Sequence, residues 1–164
     1  MRLQHEFQPI YDSRSKALIL GSFPSVKSRE QNFYYGHPRN RFWKLLAAIC
    51  SEDTPAATDQ KIALCLKHGI ALWDVIQSCD IEGSSDSSIK NVRVNDLSVI
   101  LDNCDIKCIF VNGSTAYNLF VKYQQTRTGR EAVRLPSTSP ANAAWSFDRL
   151  FSEWSIIREY IERQ

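Results

Sequence analysis

No apolar run in the sequence approaches the roughly 20 residues that cross a bilayer, and Met1 to Tyr11 lacks the basic-then-apolar order of a signal peptide. A soluble protein that stays in the cytoplasm, associated with the nucleoid if its source is bacterial, is therefore expected, with no membrane among its partners. Five cysteines, Cys50, Cys65, Cys79, Cys104 and Cys108, form an odd set without a C-x-x-C pair, and only three histidines accompany them. That spacing suits neither zinc nor an iron-sulfur cluster, so reduced structural thiols and no metal are expected. The G-x-S-x-G elbow and the H-E-x-x-H pair are also missing, which removes the signatures of α/β-hydrolases and zinc proteases. A net charge of only +2 is too small for a histone-like binder; a local basic surface stays open, because a sum says nothing about distribution. Repeats and low-complexity segments are lacking as well.

What is present is 164 residues at 43% hydrophobic content, enough for one substantial core and too short for two ordinary ones. Residues 1–164 are expected to form a single domain. Lys16 to Gly21, Ile70 to Val75, Ile106 to Val111 and Ala132 to Leu135 are short apolar runs that read as strands. Between them lie helix patterns: Phe42, Leu45, Leu46 and Ile49 after Pro38; Ile62, Cys65 and Leu66 after Thr58, closed by Gly69; Val94 to Leu101; and Ala116, Leu119, Phe120 and Tyr123. A last helix from Ser146 buries Phe147, Leu150, Phe151, Trp154, Ile157 and Ile161. The order predicts a three-layer α/β/α sandwich around a mostly parallel four-stranded sheet. Ser25 to Gln31, Cys79 to Asn91 and Gln124 to Glu131 read as polar loops, and the segment before Asp12 as a lid against the core.

In an open parallel sheet, ligands bind where strands end, and three strand exits carry small or polar residues. Gly21-Ser22-Phe23-Pro24-Ser25 closes the first strand, Asn112-Gly113-Ser114 the third, and Ser137-Thr138-Ser139-Pro140-Ala141-Asn142 the fourth. Asn112 either faces the same cleft as Gly21 to Pro24 or serves its own turn. Lys27 and Arg29 are available for phosphates or belong to a plain solvated loop. Tyr34-Tyr35-Gly36-His37-Pro38-Arg39-Asn40 brings aromatic faces and fixed polar groups to the start of one helix, with Asn40 off the apolar stripe. It either points at the strand tips or simply caps the helix. Aromatic faces beside polar edges suit a flat nucleobase.

Gly21-Ser-Phe-Pro-Ser, the Tyr35-Gly-His-Pro-Arg-Asn-Arg-Phe-Trp-Lys44 block and Leu135-Pro-Ser-Thr-Ser-Pro-Ala-Asn142 resemble the motifs of the uracil-DNA glycosylase superfamily. The branch that acts on hypoxanthine is the most similar and the mismatch-specific uracil/thymine branch the next. The resemblance implies a monomeric enzyme of DNA repair that flips a deaminated base out of DNA and hydrolyses its glycosidic bond without a cofactor. Most branches place Asp or Asn two positions after the first motif's glycine, to hold the attacking water; here that position is Phe23. The resemblance therefore gives the water to Asn40 and stacking on the base to Tyr35, with Phe23 closing the other face. Asn112 and the backbone near Ser22 would read the base edge. Ser25, Lys27, Ser137, Ser139 and Asn142 would grip phosphates, and part of Pro140 to Asn142 would fill the vacated stack. His37 either sits near the leaving group or is a structural hydrogen-bonder. With no lysine in the blocks except Lys44, on the helix beyond, no Schiff base and no strand cleavage are expected. Two alternatives are a mismatch uracil/thymine glycosylase and a DNA-binding module without catalysis.

Overall fold

The computed structural model describes residues 2–5, 7–24, 26–31, 33–81 and 89–161, apart from the side chains at 26, 27 and 31. In chain order these residues form β1 (Arg2–Gln4), β2 (Ala17–Gly21), α1 (Val26–Gln31), α2 (Phe42–Ile49), α3 (Thr58–Lys67), β3 (Ile70–Asp74) and β4 (Ile76–Asp80). Then follow β5 (Lys90–Val94), α4 (Ser98–Leu101), β6 (Cys108–Asn112), α5 (Ser114–Tyr123), α6 (Gln125–Thr128), β7 (Ala132–Leu135) and α7 (Phe147–Trp154), extended by a 3-10 turn at Ser155–Glu159.

The four expected strands make one parallel sheet in the order β3-β2-β6-β7. Every residue of β2 and of β3 is buried. Such strands are covered on both faces, which is why they read as unbroken apolar runs rather than as alternating ones. Helix α3 packs on β3, α5 on β6 and β7, and α2 on α7. The α2 stripe of Phe42, Leu45, Leu46 and Ile49 is fully inside, each side chain contributing about 1.5–3 kcal/mol by leaving water. From β2 the chain goes to β3 on one side and later to β6 on the other, so the strand order reverses at β2. A crevice opens beyond the strand ends at such a reversal.

Five expectations are corrected. Cys79 to Asn91 is not simply a loop: β4 and β5 pair antiparallel around it, and with β1 they form a second sheet in the order β1-β4-β5. Residues 82–88, whose Ser, Asp and Gly content prompted the loop reading, lie outside the described residues. Residues 26–31 are helix rather than loop; Ser28 is buried and its hydroxyl accepts the Gly36 N–H at 2.9 Å, so a polar letter stands for an inward position. Helix α2 begins at Phe42, because residues 37–40 close their own turn through Asn40 N–H to the His37 carbonyl at 2.9 Å. Finally, Val94 ends a strand, and the stretch from Gln124 carries a short helix, α6, with Gln124 buried just ahead of it.

The passage between the two sheets is the single residue Val75, and two buried amides hold it. Asn95 Nδ2 donates to the carbonyls of Asp74 and Ile76, at 2.9 and 3.2 Å, and Gln124 Nε2 donates to the Asn95 carbonyl at 2.8 Å. Backbone groups displaced from a ladder need such partners, and Asp74 is fixed at the junction as a result. The N-terminal segment packs inward, with Phe7 and Ile10 buried and Ile10 bridged to Leu72.

Candidate functional site

The strand exits enclose a cavity of about 170 Å³. Exit β2 contributes Gly21, Ser22, Phe23 and Pro24; β3 contributes Asp74, β6 Asn112, and β7 Ser137, Thr138 and Ser139. Tyr34, Tyr35 and Asn40 come from the segment before α2. Asn112 and Asn40, which read equally well as turn or cap residues, thus meet in one place. Asn40 also serves the helix start from one residue ahead of the cap: its Oδ1 accepts the N–H of Phe42, the first residue of α2, at 2.9 Å.

One wall is a chain of neutral groups. Thr138, wholly buried, donates its hydroxyl to Asn40 Oδ1 at 2.8 Å and accepts from Asn112 Nδ2 at 3.0 Å. Its own backbone N–H donates to Asn112 Oδ1 at 3.1 Å. Sequence reasoning passed over Thr138, since a threonine among serines and prolines reads as one more turn residue.

The facing wall carries a carboxylate beside an imidazole. Asp74 Oδ2 lies 2.7 Å from His5 Nε2, with both side chains almost wholly buried. Neither residue was foreseen, although Asp74 ends an apolar strand at the same sheet edge as Gly21 and Asn112, and that position was a usable signal. Gly21 makes room for the carboxylate: a Cβ there would stand 2.5 Å from Asp74 Oδ1 and 3.0 Å from the Tyr35 hydroxyl. That hydroxyl is buried and has no hydrogen-bond partner among the described residues. Burial first, and the Asp74 charge second, push the Tyr35 phenol well above its ordinary range. Tyr35 stacks on Phe42 with ring centres 4.0 Å apart and planes at 20°, and its φ is +53°. A left-handed tyrosine costs about 1–3 kcal/mol, offset here by stacking and by Trp43 Nε1 donating to the Tyr34 carbonyl at 3.0 Å.

The loop after β7 is tied down by its own polar side chains and by Arg41. Ser137 Oγ accepts the Ser139 N–H, Ser139 Oγ accepts the Ala141 N–H, and Asn142 Nδ2 donates to the Ser137 carbonyl, at 3.1, 3.1 and 3.0 Å. The Arg41 guanidinium donates to the carbonyls of Ser139, Asn142 and Trp145. From the core side, Trp154 Nε1 donates to the Pro136 carbonyl at 2.8 Å. Gly113, at φ +96°, lets β6 turn against this loop, where a Cβ would come within 3.1 Å of Ser137 Cβ.

The remaining expected residues are dispersed. His37 Nδ1 accepts the Arg39 N–H at 3.0 Å, within its own turn and away from the cavity lining. Pro140 lines neither this cavity nor the wider groove beside it, of about 520 Å³, that Asn142, Ser114, Arg134 and Trp145 help to form. Ser25 and the Lys27 side chain lie outside the described residues. Lys44 Nζ rests over the Phe147 ring, 4.7 Å from its centre.

This arrangement agrees with three comparisons. Residues 8–158 match the Uracil DNA glycosylase superfamily. A hypoxanthine DNA glycosylase from Methanosarcina barkeri is 38% identical over 140 residues, covering 83% of this chain and 86% of the relative. Its namesake from Methanosarcina acetivorans is 35% identical over 159 residues, covering 94% and 98%. The solution NMR structure of a Methanosarcina acetivorans protein, described as a candidate uracil DNA glycosylase, superposes with a TM-score of 0.78 at 33% identity over 96% of each chain. With its strand exits closing on one aromatic and amide-lined cavity, the chain belongs to the uracil DNA glycosylase superfamily.

Proposed function

We propose that the protein removes hypoxanthine from deoxyinosine in DNA and leaves an abasic site. The observation that carries this reading is the cavity itself, in which a buried carboxylate and a neutral amide chain face each other between aromatic rings. Two relatives that cover most of the chain bear the name hypoxanthine DNA glycosylase. The deaminated nucleotide rotates out of the duplex, most cheaply where pairing is weak, and its base enters between Tyr35 and Phe23. Asp74 accepts a hydrogen bond from the N1–H of hypoxanthine. Adenine carries a lone pair at that atom and is repelled, and a site built for an N–H can reject the analogue lacking it by about 10⁴-fold.

The bond from C1′ to N9 then breaks with its electron pair going to the base. Water bonds to C1′, and its proton ends on the base or in solvent. Charge grows on the sugar and on the leaving base, so placed dipoles do more than a strong nucleophile. Asn40 holds the water, and Asn112 with the backbone near Ser22 contacts the base. Ser137, Ser139 and Asn142 keep the loop rigid for the neighbouring phosphates. With Lys44 occupied on Phe147 and no lysine among the described residues that line the cavity, no Schiff base forms there, and the strand stays intact.

The test is base release from matched duplexes carrying one inosine, one uracil or one mismatched thymine, with an alkali step to reveal abasic sites. Hypoxanthine release is expected. Release of uracil or thymine without hypoxanthine would reassign the enzyme to the mismatch branch, and binding of the inosine duplex without release of any base would make it a DNA-binding module.

A further inference from the structure

The hydrogen-bond chain along the neutral wall has a fixed direction. A backbone N–H can only donate, and one stands at each end. Thr138 N–H meets Asn112 at one end, so the atom it touches is the carbonyl oxygen and the Asn112 amino group must be what reaches the Thr138 hydroxyl. Phe42 N–H meets Asn40 at the other end, so that atom too is an oxygen. Having accepted from Asn112, the Thr138 hydroxyl points its hydrogen at the same Asn40 oxygen, 2.8 Å away. An amide oxygen offers two lone pairs, and both are now taken. What Asn40 has left for the cavity that it lines is its amino group.

We propose that Asn40 acts as a hydrogen-bond donor, holding the attacking water by its oxygen through Nδ2–H, and that Thr138 is the positioning residue that keeps the amide turned this way. This deepens the glycosylase reading and rests on it. A donor leaves the second lone pair of the water free for C1′ and takes no proton from it, which suits a reaction in which the bond to the base breaks first. Without the Thr138 hydroxyl, the Asn40 oxygen loses one of its two partners, and Asn112 loses the acceptor for its amino group. The amide is then free to turn an oxygen to the water.

The test compares single-turnover hypoxanthine release by wild type, Asn40→Ala, Asn40→Asp, Thr138→Val and Thr138→Ser, with inosine-duplex affinity and circular dichroism measured alongside. An aspartate at 40 still accepts from Phe42 and Thr138 but presents an oxygen where the amino group was. At neutral pH Asn40→Asp is expected to be as slow as Asn40→Ala, about 100-fold below wild type. It should recover relative to Asn40→Ala as the pH falls and its carboxyl regains an O–H donor. The titratable neighbours, Asp74 and Tyr35 across the cavity and His37 and Arg41 on either side, are the same in both variants, so the ratio of the two isolates residue 40. Thr138→Val should lose about 10-fold or more in rate with duplex affinity unchanged, and Thr138→Ser should restore it. An Asn40→Asp enzyme as fast as wild type at neutral pH and slower in acid would overturn the donor assignment. Equal rates in Thr138→Val and wild type would overturn the role of Thr138. Absence of release by wild type would overturn the glycosylase reading first, a different failure.

Discussion

The two walls of the cavity are built from opposite materials. On one, Asn40, Thr138 and Asn112 carry no charge, and their directions are set by backbone N–H groups at either end. On the other, Asp74 and His5 form a buried polar pair, with the buried Tyr35 hydroxyl close to Asp74. A neutral wall keeps one geometry over a wide range of pH and can hold water in a constant place. A carboxylate wall concentrates electrostatic preference at one point and can tell an N–H edge from a lone pair. On the proposed mechanism rate and selectivity fall to different residues, and substitutions should separate them.

The largest effect is expected from breaking the neutral wall. Asn40→Ala should lower hypoxanthine release by about 10²–10³-fold and leave the order of preference among inosine, uracil and mismatched thymine as it was, read by base release from the three duplexes. Breaking the carboxylate wall should do the reverse. Asp74→Asn is expected to cost about 10–100-fold on inosine and to narrow the gap between inosine and adenine in competition assays; an unchanged gap would remove Asp74 from base reading. Loosening the support of the neutral wall comes third. Arg41→Ala removes the donors that tie down the loop carrying Thr138, and it should lower stability by about 2–4 kcal/mol, measured by urea unfolding.

The smallest effect sharpens the carboxylate wall. Burial holds the Tyr35 phenol above its ordinary value of 10.0, so the neutral phenol contributes stability that is complete below about pH 10 and is lost as pH rises above it. Tyr35→Phe keeps the ring on Phe42 and removes the buried hydroxyl. It should be within about 1 kcal/mol of wild type at pH 7 and lose less stability between pH 10 and 11, as followed by thermal melting. Tyr34 behaves likewise for the same first cause and retains its own slope in this variant.

Much of the parallel core was legible because burial on both faces leaves an unbroken apolar run, as at Ala17–Gly21 and Ile70–Asp74. Asn40 was legible as a residue off the α2 stripe, though its place just ahead of the helix was not, since the turn at residues 37–40 is closed by His37 itself. The second sheet was hidden because β4 and β5, although as long as β2 and β3, each carry three polar residues in five and so offer no unbroken apolar run. Ser28 and Gln124 were hidden for a related reason: a buried polar side chain that serves a distant backbone group looks in sequence like a solvated one.

By itself the sequence determined the four strands of the parallel sheet, the stripe of α2 and the small residues at the strand exits, because these follow from local periodicity and from conformations that few residues can adopt. Only the tertiary structure decided that Asp74 meets His5 across 69 residues and that Thr138 joins Asn40 across 98. Each of those bonds depends on where the sheet order reverses and on which atom of an amide is already taken, and neither is a property of any one stretch of chain.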